Sequence, residues 1–154
     1  MTTRLSVKVQ EADFDAAALH RQLVENDHGV GAVAVFTGHV RAAAGAPAEW
    51  RMYLEHYPGM TERSIASILN TAAERYDLRA AAVLHRVGWL QAGDQIVWVG
   101  VASAHRGDAF SACELVMDYL KTRAPLWKKE GVPPEMRWVE ARSADNDRAA
   151  RWAP

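Results

Sequence analysis

The sequence of 154 residues lacks the features that mark several large protein classes. It has one cysteine, which excludes an internal disulfide framework and fits a reducing compartment. Its net charge is −1, so no general field attracts nucleic acid or a membrane surface. No apolar run is long enough to span a bilayer, and residues 1–10 lack the apolar core of a signal peptide. We therefore expect a cytoplasmic protein whose anion sites are local and whose partners include neither nucleic acid nor membrane.

Several catalytic and cofactor-binding motifs are also missing. The glycines are too sparse for a dinucleotide-binding or P-loop fingerprint, and there is no Gly-x-Ser-x-Gly nucleophile elbow. The histidines and the cysteine do not have metal-site spacing, so we expect no metal and no resident cofactor. The remaining composition, 49% apolar and 24% charged, is that of an ordinary globular protein. It predicts one domain over residues 1–154, with a polar tail at 143–154 that frays or forms a short helix.

Hydrophobic periodicity predicts strands and helices in the order β-α-β-β-α-β-β-α-β, which indicates an α/β or α+β sheet protein. Strands are predicted over residues 5–9, 31–41, 50–57, 81–90, 95–102 and 136–141, and helices over 14–25, 61–76 and 108–122. We expect Asp13 to cap the first helix and residues 91–94 to turn a hairpin. Residues 42–49 are predicted to form a mobile loop, and Pro125 prevents continuation of the third helix.

The third predicted helix carries a lysine at the edge of an apolar stripe. At about 100° per residue, one face contains five apolar side chains, Phe110, Cys113, Val116, Met117 and Leu120. Lys121 lies within about 20° of Phe110 on the same wheel. Partial burial would lower the pKa of its ammonium and suit it to acid–base work, whereas a lysine that only complements the helix dipole would reach water. The spacing leaves both interpretations open, while Cys113 is predicted to pack as an inert buried thiol.

Three short basic segments are candidates for binding an anion. His105 and Arg106 lie between a strand end and a helix start, where backbone N–H groups attract anions, or they are a surface pair beside a capping Asp108. The Trp-Lys-Lys-Glu segment at 127–130 offers two lysines and an orienting carboxylate, or is a solvated charge run. A Gly-His-Val-Arg segment ends a predicted strand, where Arg41 is either a ligand contact or an ordinary terminal charge.

Six longer motifs, in this order and spacing, resemble the large, catalytic subunit of molybdopterin synthase, the MoaE family. They are F-T-G-H-V-R, L-E-H-Y-P-G-M-T-E, H-R-V-G-W-L-Q-A-G-D, V-A-S-A-H-R-G-D-A-F, M-D-Y-L-K-T-R-A-P-L-W-K-K-E and R-W-V-E-A-R. The resemblance runs from about residue 31 to residue 152, while the first thirty residues match only in general pattern. It implies an α+β fold, α/β hammerhead-like, with an additional antiparallel β portion and three main helices packed on sheet.

The resemblance implies an enzyme of molybdenum cofactor biosynthesis. Members of the family convert cyclic pyranopterin monophosphate into molybdopterin by adding two sulfur atoms. The sulfur arrives as a thiocarboxylate on the C-terminal Gly-Gly of a small ubiquitin-like subunit, which removes the need for a reactive cysteine. A homodimer of large subunits carries one small subunit at each end, giving a heterotetramer. A non-catalytic scaffold for the small subunit, and a phosphate-ester-processing enzyme with the same basic cluster, are the alternatives.

Carried over by position, the resemblance implies that Lys121 and Lys128 are catalytic. It implies contacts with the pterin phosphate for ten residues, His39, Val40, Arg41, His105, Arg106, Lys121, Lys128, Lys129, Glu130 and Arg142. In this interpretation Lys121 lies nearest the reacting carbon, Lys128 adds charge or a second proton transfer, and Glu130 orients Lys128. Related sequences often have lysine at the position of His39, so here a titratable imidazole replaces one fixed positive charge.

Overall fold

A computed structural model describes residues 2–140 and 142–154 and arranges them as two four-stranded sheets and four helices. The strands are β1 (Arg4–Gln10), β2 (Ala32–His39), β3 (Arg51–His56), β4 (Leu78–Arg86), β5 (Gly88–Leu90), β6 (Gln95–Ser103), β7 (Leu126–Val132) and β8 (Glu135–Val139). The helices are α1 (Ala16–Val24), α2 (Met60–Arg75), α3 (Arg106–Arg123) and α4 (Ser143–Ala150). The predicted α+β class with an additional antiparallel portion is confirmed. None of the helices in the described ranges has the length and apolar character that a bilayer crossing requires.

The first sheet has the order β1-β4-β6-β2, with β1 parallel to β4 and the other pairs antiparallel. Side chains alternate along β6, so that Val97, Val99 and Val101 form the main core with α2 and α3. Trp98 and Ala102 point to the other face and pack against α1. Because α3 follows β6 directly and packs back along it, the end of α3 lies near the beginning of β6.

The second sheet has the order β5-β3-β7-β8 and is antiparallel throughout. The chain enters it at Gly88, whose φ of 86° turns the backbone out of the first sheet. The prediction of one continuous strand over 81–90 was therefore wrong, because β4 and β5 belong to different sheets. The predicted turn is present: the Asp94 carboxylate accepts a hydrogen bond from the Gln91 N–H, and β4 pairs antiparallel with β6.

The first helix has a different cap from the predicted one, and the tail is helical. Asp15, and not Asp13, caps α1, since its carboxylate accepts hydrogen bonds from the N–H groups of Ala17 and Ala18. The polar tail forms the short helix α4, one of its two predicted outcomes. Ala141, the last residue of the strand predicted over 136–141, lies outside the described residues, and that strand is β8.

The inner face of α3 differs from the predicted apolar stripe. Phe110 is 66% exposed, so its predicted place on the buried face was wrong. The buried face contains small residues such as Ala109 and Ala112, which allow the helix to pack closely on the sheet and on α2. Asp108 is not a cap either: it lies in the first turn and accepts a hydrogen bond from the N–H of Asp77.

Candidate active site

The end of α3 brings the two predicted catalytic lysines close together. Lys121 lies in the last turn of α3, and Lys128 lies on β7 opposite Leu54 of β3. Desolvation lowers the pKa of the Lys121 ammonium, and the positive charge of Lys128 lowers it further. The lowered pKa favours acid–base work, while the exposure of Lys121 and its place in the last turn of α3 also fit a lysine that complements the helix dipole.

The start of α4 adds two more charges to this cluster. Arg142 lowers the pKa of Lys121, as Lys128 does, whereas the Asp145 carboxylate raises it. Lys121 nevertheless remains accessible to solvent. Protein therefore crowds the ammonium on some sides only, and its exposed side is accessible to a ligand.

Strand alternation separates the residues of the Trp-Lys-Lys-Glu segment. Lys128 and Glu130 lie on one face of β7, and Lys129 lies on the other. The Lys129 ammonium is 5.2 Å from the ring centroids of both Tyr53 and Trp138, in cation–π geometry. The structure therefore does not bring Lys129 to the lysine pair. No ion pair joins Lys128 to Glu130 in the described part of the chain, so the orienting role of Glu130 stays a prediction.

His39 and Val40 are held against the turn between β5 and β6. The Nδ1 of His39 donates to the Gly93 carbonyl at 3.0 Å, and the N–H of Val40 donates to the Asp94 carbonyl at 2.8 Å. The Val40 side chain is 4% exposed and packs in a small core, so it is not available to a ligand. Arg41, the next residue, is exposed at the edge of the loop.

The register of the first sheet places these residues at the same end as Lys121. Gly38 of β2 pairs with Val97 of β6, and Val97 pairs with His85 of β4. This is the end of the sheet at which α3 finishes. Arg41 therefore lies at the lysine end of the molecule, as its predicted role requires.

His105 and Arg106 lie at the opposite end of the same sheet. They follow Ser103, which pairs with Ala32 at the start of β2. Fifteen residues of α3 separate Arg106 from Lys121, which is about 22 Å along the helix axis at 1.5 Å per residue. A single chain therefore does not bring the two groups together, although both are exposed.

A buried histidine that the sequence reasoning missed lies beside the lysine cluster. His85 is 9% exposed, and its Nδ1 is 2.8 Å from the carbonyl oxygen of Arg86. Burial lowers the pKa of His85 from 6.5 to about 4, the hydrogen bond to Arg86 opposes this, and the charges of Lys121 and His56 lower it again. Alternation along β4 could have identified it, since His85 is the one polar residue at an inward position of an apolar strand.

A carboxylate on α3 anchors the C-terminal segment, and this was also missed. Asp118 accepts hydrogen bonds from Arg148 at 3.3 Å, Arg151 at 2.9 Å and the Trp152 indole at 2.7 Å. Burial raises the pKa of Asp118, but the hydrogen bonds from Trp152, Arg151 and Arg148 more than offset this, so the net pKa is lowered. The sequence does contain a sign of this cluster, since Asp118 lies in a predicted helix between apolar residues. A buried aspartate at such a position needs a partner.

The single cysteine behaves as predicted. Cys113 is buried in the main core, and desolvation raises the pKa of its thiol to about 11. The fraction of thiolate at neutral pH is therefore very small, and the side chain is not a nucleophile.

Comparison with known proteins identifies the family of this chain. The model of the MoaE protein family matches residues 9–123. The molybdopterin synthase catalytic subunit of Ralstonia nicotianae is 52% identical over 147 residues, covering 96% of this chain and 84% of the relative. The structure of molybdopterin cofactor biosynthesis protein E from Burkholderia multivorans has a TM-score of 0.82 at 48% identity, with 97% of each chain covered. Molybdopterin synthase from Staphylococcus aureus has a TM-score of 0.78 at 30% identity, covering 86% of this chain and 96% of that one. The chain therefore belongs to the MoaE family.

Proposed function

We propose that this chain is the catalytic subunit of a molybdopterin synthase and converts cyclic pyranopterin monophosphate into molybdopterin. The observation that carries the proposal is a partly desolvated Lys121 beside Lys128, in a chain of this family. The relative from Ralstonia nicotianae is called a catalytic subunit, which implies at least one further subunit. In this proposal that partner is a small ubiquitin-like protein, and its C-terminal Gly-Gly thiocarboxylate donates both sulfur atoms. No metal or resident cofactor takes part.

In each sulfur transfer the thiocarboxylate sulfur attacks a side-chain carbon of the pterin, a carbon–oxygen bond at that carbon breaks, and the departing oxygen takes a proton. Water then cleaves the acyl–sulfur bond, which leaves the sulfur on the pterin and releases the small subunit as a carboxylate. Negative charge develops on oxygen in these steps, and preorganised positive charge stabilises it. Lys128 and Arg142 provide that charge next to Lys121.

Lys121 acts as the general acid–base of this reaction. Its lowered pKa makes the neutral amine more accessible near neutral pH than in an ordinary lysine, so one group can both accept and return a proton. Arg41 binds the phosphate from the same end of the sheet, and His39 and Val40 hold the backbone before it against the turn.

His105 and Arg106 join this site only from a second copy of the chain. About 22 Å of helix separates them from Lys121 in one chain, which exceeds the reach of their side chains. We therefore propose that the enzyme is a homodimer of this subunit, with each site completed across the dimer and one small subunit at each end. A mixed dimer tests this: a Lys121→Ala chain and an Arg106→Ala chain, each inactive alone, should recover one working site when combined.

A single-turnover assay tests the proposed function. The purified chain is mixed with a thiocarboxylated small subunit and cyclic pyranopterin monophosphate, and product is followed after oxidation to its fluorescent pterin derivative. We expect product with the unmodified chain, and none with Lys121→Ala even though it folds and binds the small subunit. Lys8→Ala is the matched control, because Lys8 is an exposed lysine on β1 and should turn over normally.

Two other outcomes would contradict the proposal. A stable complex with the small subunit but no product would indicate a non-catalytic scaffold. Release of phosphate from simple phosphate esters without any sulfur donor would indicate a phosphate-ester-processing enzyme. Normal turnover in Lys121→Ala would leave the reaction in place and overturn the role assigned to Lys121.

A further inference from the structure

His85 is a buried titratable group that the proposed chemistry does not use. It lies on the same face of β4 as Val83, which is the face covered by α2 and α3. It pairs with Val97 of β6, and Val97 belongs to the same core as Leu120, the residue before Lys121. Strand register and packing therefore place the imidazole next to the end of α3.

The hydrogen bond at Nδ1 fixes the tautomer of this ring. A carbonyl oxygen only accepts, so the 2.8 Å contact with Arg86 requires a proton on Nδ1 of His85. In the neutral ring, Nε2 then carries a lone pair. No protein group in the described ranges donates to Nε2. The indole nitrogen of Trp98 is the one fully buried side-chain N or O atom without a partner in those ranges, so Nε2 keeps some surface exposed to solvent. His85 therefore presents a free acceptor towards solvent-accessible space.

The surroundings of this acceptor are mostly positive. The charged and titratable groups around the ring and the adjacent lysine are Lys121 of α3, His56 of β3, Lys128 of β7, and Arg142 and Asp145 at the start of α4. Burial keeps the imidazole neutral, so it adds no further positive charge to this group. It offers instead a lone pair among positive groups, of which Lys121 has the largest effect on the pKa of the ring.

We propose that His85 is a positioning residue for Lys121: its Nε2 accepts a hydrogen bond from the Lys121 ammonium through one water molecule and so holds that ammonium at the reacting carbon. A water-mediated bond is nearly as favourable as a direct one and allows for the absence of a direct contact between the two side chains. The inference rests on the proposed role of Lys121 in sulfur transfer.

This arrangement predicts a change in the pH profile as well as in the rate. A lone pair directed at the ammonium stabilises its protonated form. Loss of the acceptor therefore lowers the pKa of Lys121 and moves the alkaline limb of the rate profile to lower pH. A residue that served only packing would change stability and leave that limb in place.

Two amide variants separate the two nitrogens of the ring. In His85→Asn the side-chain amide can still donate to Arg86 but has no group at the position of Nε2. In His85→Gln a polar atom reaches the Nε2 position. We expect single-turnover rates about 10- to 100-fold lower in the Asn variant, with its alkaline limb shifted down, and largely restored in the Gln variant. His20→Asn, at an exposed histidine of α1, is the matched control.

The outcomes are distinct from those for the proposed function itself. If the unmodified chain forms no product, the proposed function fails, and the ¹⁵N resonances of His85 still test the geometry. A neutral ring protonated at Nδ1 near pH 7 is expected, and a ring protonated at Nε2 would overturn the inference even if the Asn variant does not fold. With an active unmodified chain, unchanged rate and pH profile in His85→Asn, or equal losses in both variants, would also overturn it.

Discussion

Replacement of Asp118 by asparagine should weaken the attachment of α4 while leaving the rest of the fold in place. No residue of α4 is buried, and its eight residues are too few to form a stable helix alone. Its attachment depends on Arg148, Arg151 and Trp152, which meet the carboxylate of Asp118. Asparagine keeps an acceptor for the indole but removes one of the two carboxylates that hold both guanidinium groups, the other being the more exposed Glu114.

The expected size of the effect follows from how exposed the partners are. Asp118 is 6% exposed, whereas the Arg148 and Arg151 side chains are 55% and 44% exposed, so water screens both pairs. Two such pairs and a weakened indole hydrogen bond contribute about 1–2 kcal/mol. That corresponds to an increase of about 5- to 30-fold in the open population of α4.

Amide hydrogen exchange over residues 146–150 measures this opening. We expect exchange there to be about 5- to 30-fold faster in Asp118→Asn, with little change in the core strands. Asp147→Asn is the control, since Asp147 lies on α4, is exposed and has no partner in the described part of the chain. Unchanged protection of α4 in Asp118→Asn would refute the argument that this carboxylate anchors the segment. Arg142 precedes α4 and Asp145 lies in its first turn, so the turnover rate should fall together with the protection of α4 against hydrogen exchange.

Three further predictions concern the lysine pair, the core and the buried histidine. Lys128→Ala should raise the pKa of Lys121, because it removes a positive charge, and the alkaline limb of the rate profile should move to higher pH; a shift to lower pH would contradict this. Ile65→Ala, at a residue with 0% exposure, should lower the free energy of unfolding by about 2–5 kcal/mol in urea, and a loss below about 1 kcal/mol would show that the site is not close-packed. The pKa of His85 is lowered on folding from 6.5 to about 4. The contribution of the neutral ring to the free energy of unfolding is therefore complete above pH 6.5 and is lost as the pH falls from there through 4. Between pH 7 and 4, the free energy of unfolding measured in urea should therefore fall by about 3 kcal/mol less in His85→Gln than in the unmodified chain. Equal decreases in the two proteins would contradict the burial argument.

Sequence reasoning located most elements because their signals are local. The turn at Gln91 to Asp94 and the stop at Pro125 depend on residues within a few positions, and both predictions agree with the structure. The division of residues 81–90 between two sheets depends instead on distant partners, and Gly88 is the only local sign of it. Strand β7 was missed because its charged residues do not alternate with apolar ones, and pairing with β3 and β8 decides its conformation.

The candidate site shows the same division between local and distant information. A helical wheel places Lys121 beside Phe110 correctly, but it assumed that this side is buried, whereas Phe110 faces solvent. The charges that shift the pKa of Lys121 come from β7 and the start of α4, which no wheel of α3 includes. Once β7 is known to be a strand, alternation alone separates Lys128 from Lys129, so a missed strand was the reason for treating both lysines as one site.

In the proposed reaction the sulfur nucleophile comes from a partner, and the chemistry of Cys113 agrees with that proposal. A thiol whose pKa is raised to about 11 is ionised in about one molecule in ten thousand at pH 7, so it cannot carry sulfur at a useful rate. A thiocarboxylate on a partner's C-terminus is ionised at that pH and brings the nucleophile already charged. The catalytic subunit must then supply what an anionic donor and an anionic phosphate substrate both require, namely fixed positive charge and a proton donor. Lys121, Lys128 and Arg142 meet that requirement at one end of the sheet. A reactive cysteine beside the same cations would ionise readily and compete with the partner's sulfur, so a buried, protonated Cys113 away from the lysines suits this reaction.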